Sequence, residues 1–346
     1  MDYSLYPYFA GLGLVVSFVL FRLGLKYAPE WGLVDKPGGR KQHEGLVPLI
    51  GGLVIIPVYT ALIYSSGLQS QTFLGELIWG VVLLIAIGVL DDKYNINPWA
   101  RFIIQIWLAC YVVIFCDANI GALGNLWGFG DVSLTPFVGK VFSAVCFVLL
   151  MNAINMLDGI DGLVGGFLLV VLGWLMVAAL GVGAMILFWS MLFLTVPILG
   201  FLGFNARYPF HPQARVFMGD AGSLSLALIV GWFAIQMAKS PEPYIAPVVI
   251  IWIMSLPIMD TFALFFTRKK QGRSPFSSDR LHIHYKLMDR GFSPALVAVM
   301  LWCFALVTGG IGYLGSKAGV PDYVLLYSWS AILLGYTFYR IKKETA

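Results

Sequence analysis

Long apolar runs separated by short polar stretches dominate the chain. They cover 8–27, 46–66, 74–90, 100–117, 137–154, 163–182, 183–203, 222–238, 244–267, 293–315 and 321–340. Each approaches the roughly 20 residues that a helix needs to cross about 30 Å of hydrocarbon. Gly181 and Gly183 leave room only for a tight turn between the sixth and seventh. The pattern predicts an all-α integral membrane protein of about 11 transmembrane helices, because lipid forces backbone polar groups to be satisfied within each segment. No internal repeat or low-complexity linker divides the chain, so 1–346 is expected to form a single polytopic domain. The longest polar stretch, 268–292, is expected to contribute to an active site.

The basic residues orient this arrangement. If the N-terminus lies outside and the loops alternate, 18 of the 22 Lys and Arg residues fall on the inner side, and only Lys140, Lys239 and Lys317 fall outside. The positive-inside rule then gives an outer N-terminus and a cytoplasmic C-terminus. Composition agrees with the membrane reading. The chain is 59% hydrophobic and 12% charged, against about 25% charged in ordinary soluble domains. The net charge of +4 fits positive inner loops and gives no reason to expect nucleic acid. The four cysteines lie in or beside apolar segments without metal-ligand spacing, so they read as core or lipid-facing residues. The first apolar run lacks a basic leader and a small-residue cleavage site, so no cleavable signal peptide is expected.

The carboxylates sort to one side. Asp35, Asp91, Asp92, Asp158, Asp161, Asp220, Asp279 and Asp289 fall on inner loops or helix ends, and Asp260 lies near the inner end of the ninth segment. Carboxylates at a membrane boundary are costly, and a cluster on one face invites a functional reading. The adjacent pair Asp91 and Asp92 closes the third segment. Such a pair suits a divalent cation, or a base acting on a phosphate or hydroxyl, although a solvated helix end would also carry it.

Asn152, Asn155, Asp158 and Asp161 recur every three residues, which places them on neighbouring faces while the segment is helical. Gly159 and Gly162 then let the chain turn sharply. Caps and a glycine turn would explain the aspartates but not two asparagines inside an apolar helix. In the segment FMGDAGS, Asp220 suits either a helix N-cap or a magnesium ligand beside a pyrophosphate at a helix N-terminus. The loop containing Arg273, Arg280, His282 and His284 mixes guanidinium and imidazole groups suited to phosphate. Contact with anionic lipid headgroups would explain its basic run Arg268 to Lys270, but not half of the protein's histidines at one spot.

Taken together these stretches resemble the polyprenyl-phosphate N-acetylhexosamine-1-phosphate transferase family, the WecA-like enzymes related to the MraY translocases. The resemblance spans essentially the whole chain. It includes Asp35-Lys36-Pro37 through Gly51-Gly52, the pair Asp91-Asp92, NAINMLDGIDG, FMGDAGS, Pro257-Ile258-Met259-Asp260 and SPFSSDRLHIH. It implies transfer of a sugar phosphate, GlcNAc-1-phosphate by default, from a UDP-N-acetylhexosamine to a polyprenyl phosphate such as undecaprenyl phosphate. UMP is released, Mg²⁺ is the cofactor with Mn²⁺ as a substitute, and the step initiates a cell-surface glycan such as O-antigen. By resemblance Asn155 and Asp220 would hold the metal, and Asp91 and Asp92 would be catalytic. Lys36, Asn95, Arg101, Asn152, Asp158, Asp161, Asp260, Arg273, Arg280, His282 and His284 would bind substrates. The resemblance also implies a bacterial cytoplasmic membrane, a cytoplasmic active site and compatibility with a homodimer. Tyr285 departs from the HIHH of WecA-like enzymes and echoes the HHHY of MraY-type ones, so a phospho-MurNAc-pentapeptide translocase is the alternative. Ile283 and Ser274-Pro275-Phe276 favour the WecA side. A lipid-linked transporter would need polar residues reaching both faces, and a purely structural scaffold would leave the Asn/Asp ladder without a purpose.

Overall fold

A computed structural model describes residues 3–35, 45–94, 96–209, 211, 213–239, 243–274 and 280–345. Every apolar segment is helical. The helices are α1 (Tyr6–Trp31), α2 (Gly51–Ser66), α3 (Leu74–Tyr94), α4 (Pro98–Phe115), α5 (Pro136–Leu157), α6 (Leu163–Gly181) and α7 (Met185–Asn205). They continue with α8 (Gly219–Ala238), α9 (Pro247–Ile253), α10 (Ser255–Lys270), α11 (Ile283–Met288), α12 (Pro294–Lys317) and α13 (Asp322–Thr345). A two-stranded antiparallel ribbon pairs Val34 with Pro48 and Asp35 with Val47. Eight of the described helices are long and apolar enough to cross a membrane, and the bent pair α9–α10 would make nine. The chain is an integral membrane protein.

The ninth apolar segment differs from the continuous helix expected over 244–267. It breaks at Met254, and α9 and α10 meet at 78°. Pro257 is the cause: it lacks an N–H, and its ring would clash with the carbonyl four residues earlier, that of Ile253, the last residue of α9. Ser255 Oγ donates to the carbonyls of Ile251 at 3.1 Å and Trp252 at 2.8 Å, which satisfies acceptors near the break. The turn after α6 follows expectation, with Gly183 at φ +73° before α7.

The hub is α8. Apart from Asp220 and Gln236 its residues are apolar or small on every side, and a helix of that kind is stable only when buried all round. From Ala221 to Ala238 every residue is buried. Glycines let neighbouring helices approach its first turn closely. A Cβ on Gly52 would stand 2.4 Å from the Cα of Gly222, and one on Gly88 would stand 2.4 Å from the Cα of Ala221. Gly88 lies one turn before Asp91 and Asp92, so this close crossing carries both carboxylates to Asp220 at the start of α8.

Candidate active site

One cavity of about 2440 Å³ is lined along α4 and α5, by the ends of α3, α7 and α10, the starts of α8 and α12, the turn between α5 and α6, and α11. Arg101 on α4 ties its carboxylates together. Its Nη1 donates to Asp91 Oδ2 at 2.8 Å and also to Asp220 Oδ2. The other oxygen of Asp91 accepts the Ile96 N–H at 2.8 Å, so both oxygens of this buried carboxylate are engaged. Asp92 accepts the Asp220 N–H at 3.2 Å. That contact depends on Gly219, whose φ of +75° suits glycine and where a Cβ would stand 2.8 Å from Asp92 Oδ2. Asp220 is the second residue of α8 rather than its N-cap; Met218 occupies the cap position.

The Asn/Asp ladder has divided roles. Asn155 Nδ2 donates to Asp220 Oδ1 and to Ser223 Oγ, each at 2.9 Å. Asn152, one turn earlier, donates to Gln105 Oε1 at 2.6 Å and to the Val148 carbonyl at 2.8 Å. Asp158 follows the end of α5 and is exposed to the cavity, whose protein walls close around it. Burial pushes its carboxyl up to about 7, and the charges of Asp220, Asp161 and Asp92 act in the same direction. Asp161 accepts from Arg207 Nε at 2.6 Å and from the Ala214 N–H at 3.3 Å. Asn205 braces the turn by accepting the Gly162 N–H at 2.7 Å and donating to the Val216 carbonyl at 2.8 Å.

Described residues between α10 and α11 bound the cavity on another side. Arg280 and His282 line it, and the Arg280 guanidinium lies 4.7 Å from the centre of the Tyr285 ring. His282 Nδ1 meets Asp260 Oδ2 at 2.8 Å, and the other Asp260 oxygen accepts the Ile283 N–H at 3.1 Å. His284 stacks on His282 with centroids 5.5 Å apart. Burial holds its imidazole down to about 3, against the pull of Asp260 and with help from His282 and Arg280, so it is neutral.

Several expected substrate residues are not at the cavity wall. Asp260 and His284 are buried behind His282, where they support it rather than face the cavity. Arg273 is exposed and is not among the lining residues, although its neighbour Ser274 is. Lys36 and Asn95 lie outside the described residues. Asp91, Asp92, Arg101, Asn152, Asn155, Asp158, Asp161, Asp220, Arg280 and His282 all reach the lining. The sequence reading missed Gln105, Asn205 and Arg207 as lining residues, and Ser223 as the partner of Asn155. Gln105, a lone amide inside apolar α4, carried a legible signal. Arg207 had none beyond its position just after α7.

Metal fit turns on donor chemistry. Among the described residues no group of three or more carboxylate, imidazole or thiol side chains forms a ready cage. Mg²⁺ does not require one, since it is commonly held by one or two carboxylates, waters and substrate phosphates. Asp220 and Asn155 supply hard oxygen atoms of that type. The gathering of Asp92, Asp158, Asp161 and Asp220 around the cavity also favours a cation nearby.

Comparison with known proteins agrees with this geometry. Residues 75–238 match the profile of glycosyl transferase family 4. The chain is 33% identical over 335 residues to the undecaprenyl-phosphate alpha-N-acetylglucosaminyl 1-phosphate transferase of Escherichia coli O157:H7, covering 92% of this chain and 87% of that protein. The protein of the same name from Yersinia pestis is 33% identical over 327 residues, covering 91% and 86%. That from Haemophilus influenzae is 32% identical over 314 residues, covering 89% and 86%. With a relative this similar over almost its whole length, and with the same motifs converging on one cavity, the chain belongs to glycosyl transferase family 4.

Proposed function

We propose that this protein transfers N-acetylglucosamine-1-phosphate from UDP-N-acetylglucosamine to undecaprenyl phosphate, the step that initiates lipid-linked glycan synthesis. The observation that carries this reading is the continuity of two unlike surfaces in one cavity. Its polar pole gathers Asp92, Asp158, Asp161, Asp220, Arg101 and Arg207. From there it runs between α4 and α5 along Ile106, Val113, Ile114, Val145, Val148 and Leu149. A nucleotide diphosphate suits the first surface and an isoprenoid chain the second, so the acceptor phosphate would meet the donor at their junction.

In the reaction an oxygen of the acceptor phosphate forms a bond to the β-phosphorus of the donor. The bond from that phosphorus to the bridging oxygen breaks, and UMP leaves with the bridging oxygen. Arg101, held by Asp91, carries positive charge to the phosphates, and Asp92, fixed by the Asp220 N–H, orients the acceptor or takes its proton. Arg280 and His282 approach the donor from the loop side, while Asp158, Asp161 and Arg207 hold its nucleoside end. Asp220 and Asn155 would hold Mg²⁺, which when bound neutralises charge on the diphosphate.

The reading also places the polar pole at the cytoplasmic face of a bacterial cytoplasmic membrane, where nucleotide sugars reside. The test is to give purified protein undecaprenyl phosphate, Mg²⁺ and a panel of UDP-sugars and to follow UMP. UDP-N-acetylglucosamine is expected to turn over fastest. Faster release from UDP-MurNAc-pentapeptide, or no UMP from any donor, would overturn the proposal.

A further inference from the structure

The last helix reaches the active-site loop through one stripe of side chains. Tyr336, Arg340 and Glu344 recur every four residues, so they share a face of α13. Arg340 is only 4% exposed although it carries a full charge. Its Nη1 lies 3.5 Å from Asp260 Oδ1 and donates to Tyr336 Oη at 2.8 Å, while Nη2 donates to the Leu281 carbonyl. Below it, Glu344 Oε2 accepts from Lys286 Nζ at 2.9 Å, and the Glu344 carbonyl accepts from Gln271 Nε2 at 3.0 Å. Both ends of the loop between α10 and α11 are thus tied to α13.

A buried guanidinium is a poor device for stability alone, since an apolar residue of similar volume is often neutral or better. Its geometry here serves direction. Asp260 is an acceptor on both oxygens: one takes the Ile283 N–H, and the other faces His282 Nδ1. An ionised carboxylate has no proton to give, so His282 must donate from Nδ1, and Nε2 becomes the polar atom it can offer a ligand. Behind His282, the Nε2 edge of His284 lies against Gly159, where a Cβ would stand 2.2 Å from His284 Nε2, and Tyr285 Oη donates to the Gly159 carbonyl at 3.4 Å. A continuous line of contacts therefore runs from α13 through Asp260, His282 and His284 to the turn that bears Asp158 and Asp161.

We infer that Arg340 is a positioning residue for transfer: through Asp260 and the Leu281 carbonyl it fixes the orientation of His282 against the donor substrate. The inference rests on the phosphotransferase reading for its activity measurements. The experiment is a double-mutant cycle on the full-length protein, with Arg340→Gln and Arg340→Lys each made alone and with His282→Ala. Arg340→Gln should lower kcat/KM for UDP-N-acetylglucosamine roughly tenfold or more, the loss expected for one charge-assisted contact, and Arg340→Lys should recover part of it. With His282 already replaced, the same change should matter less than about twofold, because coupled residues do not add. Equal losses in both backgrounds, or wild-type kinetics in Arg340→Gln, would overturn the inference. If Arg340→Gln does not fold, Arg340→Lys completes the cycle.

A second measurement does not depend on turnover. The chain has four histidines, so ring-nitrogen NMR signals can be assigned by single replacements. Arg340→Gln should move the His282 signals and leave those of His211 in place. Unmoved His282 signals would refute the positioning role. Moved signals in a protein that releases no UMP would instead sink the proposed reaction and leave the geometric link standing.

Discussion

Replacement of Asp220 by Asn separates structural from chemical importance. The carboxylate accepts from Asn155 through one oxygen and from Arg101 through the other. Asn keeps one acceptor and turns an NH₂ toward the second donor, so one of these contacts is lost. A charge-assisted hydrogen bond contributes about 1.5–3 kcal/mol when shielded. Here the two partners are 31% and 36% exposed, and Arg101 keeps Asp91, so solvent screening reduces the folding cost to about 1 kcal/mol. No cap is lost, since Met218 holds that position.

The chemical cost is of another order. Removing a full negative charge from a site meant for a hard dication should forfeit about 3–4 kcal/mol at the transition state, or roughly 10²–10³-fold in rate. The assay pairs UMP release across a Mg²⁺ titration with thermal melting in detergent. The expected result is a small shift in Tm, a large loss of rate and partial recovery at high Mg²⁺ or with Mn²⁺. Wild-type activity at limiting Mg²⁺ would remove Asp220 from the metal site. A loss of activity matched by loss of the folded protein would show that Asp220 matters for folding rather than for the metal.

Other residues give sharper or simpler tests. Folded Asp158 keeps its proton up to about pH 7, whereas an unfolded carboxyl releases it near pH 4, so its contribution disfavours folding increasingly as pH rises between those values. Asp158→Asn should therefore raise Tm at pH 8 more than at pH 5 while lowering activity; an equal or reversed Tm effect would count against this. The same group should make Mg²⁺ binding weaken as pH falls below about 7, with protons released on binding, measured by calorimetry in buffers of different ionisation enthalpy; pH-independent affinity would refute it. Gly159→Ala would drive a Cβ into His284 and should cost about 1–3 kcal/mol in stability along with activity, so an unchanged Tm would mean that the loop is not packed on that turn. In a cysteine-free background, an impermeant thiol reagent applied from outside should label Cys at Phe129, which is 96% exposed, and spare Cys at Arg273; labelling at Arg273 would invert the proposed orientation.

Helix positions were legible because lipid leaves the backbone few alternatives, and the ladder from Asn152 to Asp161 announced itself by placing amides in an apolar helix. The meeting of Asp91, Asp92 and Asp220 was less direct. It depends on how closely α3 can approach α8 at Gly88 and Ala221, and no local pattern encodes that distance. The broken α9–α10 pair was readable from Pro257, yet hydropathy alone runs through the break. Assigning both Asp260 and His284 to substrate overlooked the depth of the loop. A side chain in a functional motif can act by holding its neighbour, and spacing cannot separate that role from direct contact. Arg340 escaped notice because a basic residue near an inner helix end is also what the positive-inside rule supplies.

The apolar half of the cavity bears on the choice between enzyme and transporter. An ion or polar substrate crossing the bilayer needs partners along its path, because unsatisfied charge in hydrocarbon is costly. Beyond Asn152 the described lining offers Gln105, which Asn152 already engages, the thiol-bearing Cys110, and then Lys140 near the other end of α5. Twelve residues separate Lys140 from Asn152 on that helix, a rise of about 18 Å at 1.5 Å per residue. The α5 side chains that line the gap are Val141, Ala144, Val145, Val148 and Leu149, which offer nothing to an ion. Alternating access would also require the bundle to rock about an interior element, whereas α8 is buried on every side and fixed at its first turn by α2 and α3. A groove of this length and character fits a chain that stays in the membrane while its phosphate reacts at one end. Placing a single Asp in the gap, at Val145, should therefore raise KM for the polyprenyl phosphate and leave binding of the UDP-sugar unchanged. An equal effect on both substrates would show that the groove does not hold the lipid.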